Sequence, residues 1–362
     1  MKKRIRIKDI AERAQVSRGT VDRVLHNRGN VAPEIKQKIQ EVLEELNYER
    51  NIIASTLAYN RMLRIGILLP DYSEDPFWEE PKNGIDTALK SVEHYGVTVQ
   101  YYLFDQDDTR SFVRQSELLL EDRPDAILLA PDFFNESMEF LEKCQRRGIP
   151  YIQINTHLAR KESCNLGYIG QDTYQSGVLA GRLLSYLIPP NSTVGVLHLE
   201  KGLPNAHHLI EKEKGFRDFF SAHNEGKTKV VQLAFSPFGE RQELFDFLDK
   251  NLLSVGDIRG LMVTTSRIFL LATYLQERAL DHISLVGFDL IEKNIQLLEN
   301  GKIQFLINQN PFKQGYYGIM NIVEHLIKKS EVESMRMLPL DIAVKENVQY
   351  YVKATRDLRV VV

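Results

Sequence analysis

Ser17, Arg18, Gly19, Thr20, Asp22 and Arg23 fall within seven residues and combine short hydroxyls, two guanidiniums and one carboxylate. Those groups suit the edges of base pairs. A guanidinium can bind guanine at two points in the major groove, where each base pair shows a distinguishable set of donors and acceptors. To do so the residues need a rigid frame, and the flanking sequence supplies one. Ile10, Ala11 and Ala14 give a short helix one apolar edge. Gln15-Val16 makes a turn, and Ser17 offers a hydroxyl to cap a second helix, Arg18 to Leu25. Val21, Val24 and Leu25 share one face of that helix, leaving Arg18, Gly19, Asp22 and Arg23 outside. Two short helices with a tight turn and a polar second helix form the helix-turn-helix pattern, with Arg18 and Arg23 as base readers. Lys3 and Arg6 lie just before the first helix, where phosphates would pass. A third helix starts at Pro33 and buries Ile35, Ile39, Val42, Leu43 and Leu46. Asn30 and Lys36 are further phosphate candidates.

Residues 5–60 resemble the opening of the lactose-repressor/galactose-repressor (LacI/GalR) family of bacterial regulators, through DIAERAQVSRGTVDRVLHN and NVAPEIKQKIQEVLEELNYERNIIASTLA. The resemblance implies a DNA-binding headpiece over residues 1–47 and a hinge helix over 48–60. It also implies an effector domain, built like a sugar-binding protein, over 61–362. In the family a hinge leucine wedges into the minor groove; the matching residue is Leu57, with Ala54 beside it. Two departures make a relative's operator non-transferable. Gly19 stands where relatives present a side chain, and Asp22 replaces a serine, so it repels phosphate unless it accepts from a cytosine amine or orients Arg23.

Composition agrees with a head on a sensor. The 362 residues carry a net charge of −3, but residues 1–64 hold 14 Lys+Arg against 8 Asp+Glu, leaving −9 on the rest. A basic module on an acidic body suits a DNA-binding head attached to a small-molecule domain. The length suggests two or three packed units. No run of eighteen uncharged apolar residues exists, so no membrane span is expected. The basic N-terminus lacks an apolar stretch before a cleavage site, and Cys144 and Cys164 fit a reducing cytoplasm.

From Leu63 the periodicity changes. LRIGILL, VTVQYYLF, DAILLA, IPYIQIN, TVGVLHL, KVVQLAF, IRGLMV, ISLVGF and IQFLIN are short apolar runs separated by amphipathic helices. That alternation predicts an α/β architecture with two doubly wound, mostly parallel sheets. The resemblance implies a periplasmic-binding-protein type I-like domain, with lobes at about 61–162 plus 291–318 and 163–290 plus 319–362. It places a ligand beyond the strand ends, in the cleft between lobes. Matched position by position, the ligand residues are Asp75, Phe77, Trp78, Asn155, Lys212, Thr265, Ser266, Asp289 and Gln309. Asn155-Thr156 stands where sugar binders often have Asp-Arg, and Thr265-Ser266 where Asn-Asp is common.

The expected protein is a cytoplasmic, homodimeric transcription factor, a repressor of operator DNA controlled by a sugar-like ligand. No membrane partner and no cofactor are expected. His207-His208 lacks the spacing of a metal site. No dinucleotide, phosphate-loop or serine-elbow fingerprint is present, which disfavours an enzyme with an appended DNA-binding head. A ligand-binding protein without regulation is disfavoured by the match over 5–60. The closing VKATRDLRVVV is shorter than a tetramerising heptad helix, so a dimer is expected.

Overall fold

The computed structural model describes residues 7–25, 31–46, 62–73, 75–160, 162–199, 205–223, 227–235 and 241–360. The chain divides into two compact units, Met1–Tyr59 and Asn60–Val362. In the first, α1 (Ile7–Ala14), α2 (Arg18–Leu25) and α3 (Pro33–Glu45) enclose a small core of Ile10, Ala11, Ala14, Val21, Ile39 and Val42. Gln15 takes the left-handed conformation, φ 55°, which turns the chain between α1 and α2. Ser17 Oγ then accepts from the Thr20 amide at 3.1 Å, the expected N-cap. Arg13 Nε reaches Glu45 at 3.2 Å and ties α1 to the end of α3. Ile35, expected in this core, is 37% exposed, because its position at the start of α3 lies beyond the reach of α1 and α2.

The second unit contains two six-stranded sheets among the described residues. The strands are β1 (Leu63–Pro70), β2 (Val97–Phe104), β3 (Ala126–Leu129), β4 (Tyr151–Ile154), β5 (Asn165–Gly170) and β6 (Thr193–Leu199). They continue with β7 (Lys229–Phe235), β8 (Ile258–Val263), β9 (Ser284–Phe288), β10 (Phe305–Asn308), β11 (Met335–Met337) and β12 (Asp341–Ala343). Orders are β11-β5-β4-β3-β1-β2 and β12-β10-β9-β8-β6-β7. All pairings are parallel except β10 with β12. The helices that pack on them are α4 (Glu79–Val92), α5 (Thr109–Glu121), α6 (Phe134–Arg147), α7 (Thr173–Ser185) and α8 (His207–His223). After these come α9 (Arg241–Asn251), α10 (Ile268–Glu277), α11 (Glu292–Glu299), α12 (Pro311–Val323) and α13 (Val348–Val360). None of the described helices is long and apolar enough to cross a membrane.

Each lobe is closed by one pair of helices packed backbone to backbone through glycines. A methyl on Gly84 of α4 would lie 2.0 Å from Phe312 O, and one on Gly315 of α12 2.0 Å from Pro81 O. The second lobe repeats the device. A methyl on Gly177 of α7 would lie 1.9 Å from Lys212 O, and one on Gly215 of α8 2.1 Å from Tyr174 O.

The expected lobe boundaries need correction. β5 pairs with β4 and β11, so 165–170 belongs to the first sheet; α11 and β10 belong with the second. α12 returns to the first lobe against α4 and β12 to the second sheet, while α13 seats Val348 in the second lobe's core and also touches α4. The chain therefore crosses between lobes near 171, 309 and 338. Buried Gln171 holds the three crossings together. Its Nε2 donates to Asn308 O at 2.7 Å and to Pro339 O at 2.8 Å. Asn310, at φ 52°, adds a bond to Pro339 O at 3.1 Å. Replacing Gln171 with leucine removes both bonds and takes the donor from the buried Asn308 carbonyl, while Pro339 O keeps Asn310. It should lower unfolding free energy by about 2 kcal/mol or more in urea melts; an unchanged midpoint would show that the crossings hold without the clasp.

Candidate functional site

The polar residues that follow the strands converge between the lobes. The cavity there is lined by all nine expected residues: Asp75, Phe77, Trp78, Asn155, Lys212, Thr265, Ser266, Asp289 and Gln309. It is also lined by Gln106, Asp132, His208, Leu209 and Thr264, which the sequence reading missed. Gln106 and Asp132 stand just past the ends of β2 and β3, so the strand-end rule that found Asp75 applies to them equally. The sequence offers His208 only as a candidate metal ligand without the spacing of a site, and among the described residues no cluster could hold a metal ion.

From the first lobe, Asp75 caps the short 3-10 turn Pro76–Trp78 by accepting from the Phe77 amide at 3.0 Å. That turn aims Phe77 at the cavity. Trp78 meets it edge to face, centroids 4.9 Å apart, and is 1% exposed, so most of the indole belongs to the lobe's core. Gln106 Nε2 donates to Asp132 Oδ2 at 2.7 Å. Burial pushes the Asp132 carboxyl up to about 6; Asp75 adds to this, while Gln106 and Arg267 oppose it.

From the second lobe come Lys212 and Asp289, both buried. Lys212 Nζ donates to Thr264 O at 3.0 Å and lies 4.0 Å from the centroid of Phe288. Burial lowers the ammonium to about 8 and raises the Asp289 carboxyl to about 6, while the opposite charges of the two resist both shifts. Gln309 Nε2, on a crossing, donates to Asp289 Oδ2 at 2.8 Å. Asn155 and Asp289 both take positive φ, 64° and 69°, directly after β4 and β9, an arrangement associated with functional loops. Asn294, also unpredicted, donates to Ser266 O at 2.8 Å and Asp289 O at 3.1 Å. It fixes the loops after β8 and β9 against each other from behind the cavity.

The lobes meet across the cleft. Ser266 Oγ and Arg267 each approach Asp75 at 3.5 Å. Asn205 on the second lobe bonds Glu136 at 2.8 Å and the Asn135 amide at 3.1 Å on the first, and Phe134 stacks on His207 at 5.8 Å. The cavity is about 50 Å³, far below the ~300 Å³ or more usual for small-molecule sites. A larger recess of about 510 Å³ lies alongside, between α11, α13 and the starts of α4 and α12. Of the expected ligand residues, Phe77 and Asp289 reach it. The convergent, partly unpartnered polar groups make the smaller cavity the candidate site.

In the head, Ser17, Arg18, Gly19 and Arg23 are exposed and Thr20 half-buried on or beside α2. A methyl on Gly19 would meet only Ser17 Oγ at 3.7 Å, so packing does not require glycine there. Lys3, Arg6, Asn30, Ala54 and Leu57 lie outside the described residues, as does the Asp22 side chain.

The pH response of Asp132 is testable. A carboxyl that rises on folding from 3.8 to about 6 loses stability as pH climbs through that window. Asp132→Asn should therefore be more stable than the parent at pH 7.5, by about 1–3 kcal/mol, and indistinguishable from it near pH 4. Thermal melts of both proteins across that range decide the point; a constant gap would remove the carboxyl as its source.

Residues 6–51 match the family described as bacterial regulatory proteins, lacI family. The sucrose operon repressor of Pediococcus pentosaceus is 28% identical over 179 residues, 49% of this chain and 51% of its own length. The catabolite control protein A of Staphylococcus xylosus is 32% identical over 93 residues, 26% of this chain and 28% of its own. The chain thus spans about half or less of these curated relatives. A Bacteroides fragilis protein assigned as a LacI transcriptional regulator superposes with a TM-score of 0.73 at 28% identity, covering 80% of this chain and 100% of that one. The glucose-galactose binding protein GanP of Geobacillus stearothermophilus shares the fold, with a TM-score of 0.70 at 20% identity over 79% of this chain and 99% of its own. Since residues 65–330 match the periplasmic binding protein domain and the head matches the lacI regulatory family, the chain belongs to the LacI-type regulators, a helix-turn-helix head followed by a periplasmic-binding-protein domain.

Proposed function

We propose that the protein is a transcriptional repressor that binds a pseudo-palindromic operator as a homodimer and is controlled by a sugar-like ligand held between its lobes. The observation that carries this reading is the joint presence of an exposed Arg18/Arg23 face on α2 and a cleft of convergent carboxylates, amides and an aromatic face. Relatives named for sucrose and ribose operons support a sugar-like ligand. In this reading α2 enters the major groove. Arg18 and Arg23 read base edges, while Ser17, Gly19, Thr20 and Asp22 border them. Lys3, Arg6 and Asn30 meet phosphates, and Leu57 with Ala54 wedges the minor groove from a hinge at 48–60. Carboxylates of Asp75 and Asp289 take ligand hydroxyls, together with Asn155, Lys212, Thr265, Ser266 and Gln309. Phe77, backed by Trp78, covers a ring face.

Because the cavity is small and latched, a ligand enters only when the lobes part about the three crossings. Ligand and operator are then coupled through the lobe arrangement, each biasing the same two-state element. The test is selection of bound sequences from randomised DNA by the full chain. A two-fold-related consensus is expected, and its absence would sink the operator reading. On the selected site, Arg23→Ala should lose about 1–3 kcal/mol of discrimination against scrambled DNA at fixed salt. Equal preference in parent and variant would remove Arg23 from base reading.

A further inference from the structure

The charges facing the cleft do not balance, and the imbalance sits on one residue. Asp75 is approached by Arg267 at 3.5 Å. Asp289 faces Lys212 and receives Gln309 Nε2 at 2.8 Å. Among the described residues Asp132 has no ion pair of its own; Arg267, which faces Asp75, acts on it only from farther away. Gln106 occupies its Oδ2 at 2.7 Å, and its Oδ1, sealed from solvent, has no hydrogen-bond partner. The remaining titratable group on the cavity wall is His208, whose ring is held neutral by burial and by Lys212, with its proton affinity down to about 3. Its Nδ1 is likewise unpartnered. Among the described residues, the charged groups around the cavity therefore comprise three carboxylates and two cations, both cations already engaged: Lys212 with the Thr264 carbonyl and Phe288, Arg267 with the Leu199 carbonyl at 3.2 Å and Asp75.

A ligand sealed against this wall displaces the water that would otherwise solvate the odd carboxylate. An uncompensated buried charge is among the costliest arrangements in a protein. A neutral ring leaves that charge in place, and a phosphorylated or carboxylated one adds to it. A ligand with one positive charge removes it and supplies the N–H donor that Oδ1 lacks, through a charge-assisted bond.

We propose that the ligand is a hydroxylated ring carrying one protonated amine, the class of amino sugars, and that Asp132 is the specificity-determining residue that receives the ammonium. This rests on the reading of the interlobe cleft as the ligand site. In that pose the hydroxyls turn toward Asp75, Asp289 and Gln309, and Phe77 covers the ring face. With its Oδ1 sealed from solvent and without a partner, Asp132 is held up to about 6, so an ammonium arriving at neutral pH meets a carboxylate that is ionised yet poorly compensated.

The experiment measures binding to the full-length protein by calorimetry and thermal shift at pH 7.5 and fixed salt. Glucosamine, galactosamine and mannosamine are each compared with the matching neutral hexose. At least one amine should bind about tenfold or more tightly than its hexose. In Asp132→Asn, an isosteric change expected to keep the fold, that preference should collapse while affinity for the neutral partner changes less than about threefold. If no amine outbinds its hexose, or if none of the six sugars binds, the proposal is overturned. It is overturned equally if Asp132→Asn weakens amine and hexose alike. Two further variants separate this failure from failure of the cleft reading. A hexose that needs Asp289 but ignores Asp132→Asn keeps the cleft and removes the amine. An amine whose binding survives both Asp289→Asn and Phe77→Ala binds elsewhere, and both readings fall.

Discussion

The effector domain depends on one amide. Three chain segments must pass between the lobes, and buried backbone carbonyls at a crossing cannot be satisfied by a sheet that has just ended. Gln171 meets the need by giving both hydrogens of its side-chain amide to carbonyls of the other two crossings, Asn308 O and Pro339 O. Tyr168, the last aromatic of β5, donates its hydroxyl to Gln171 O at 3.0 Å and to Asn155 O at 3.1 Å. The clasp is thereby joined to the ligand-facing loop after β4. The crossings are thin enough to bend and fixed enough to bend together, which is what a two-position hinge requires.

Much of this was legible before any coordinates. The nine apolar runs became nine of the twelve strands, and the head's second and third helices begin where the Ser17 cap and Pro33 place them. What escaped was the crossover region. β5 reads NLGYIG and carries a glycine at φ 150° that lets the backbone of Ser334 approach to within 2.7 Å of where a methyl would stand. β11 and β12 are three residues each, too short for any alternation to declare itself. The lobe assignment failed for that reason: the segments that switch sheets are those with the weakest pattern. Of the site, resemblance found the nine residues at positions matched to known binders. Gln106, Asp132 and His208 were missed because a polar residue after a strand is ordinary, and only convergence in space distinguishes it.

The glycine contacts link packing to the site. Gly177 lets α7 lie directly on the backbone of Lys212, so the ammonium's position is set by helix packing rather than by side-chain adjustment. Behind it, buried His198 bridges Glu213 at 2.5 Å and Thr264 at 3.0 Å, and Thr264 O in turn receives Lys212. Arg217 completes the chain by binding Glu213 at 2.6 Å. A lysine brought into an apolar wall beside Phe288 must be held by such a network, because its own solvation is gone.

The same reasoning explains why stability and specificity pull apart in this cleft. A core evolved only to fold would not keep Asp132 beside Asp75, two carboxylates whose mutual repulsion raises the cost of both being ionised. Nor would it leave the Asp132 Oδ1 and the His208 Nδ1 without partners. Both atoms belong to residues on the cavity wall; behind it the Asn294 amide nitrogen reaches three carbonyls, while its Oδ1 has no partner. An unsatisfied polar atom on the face of a cavity is the arrangement expected where a partner molecule completes the bonding. The lobes can then close fully only around a molecule that answers those atoms. In the proposed reading, closure thus becomes a report on ligand identity, which is what a regulator controlled by a ligand requires.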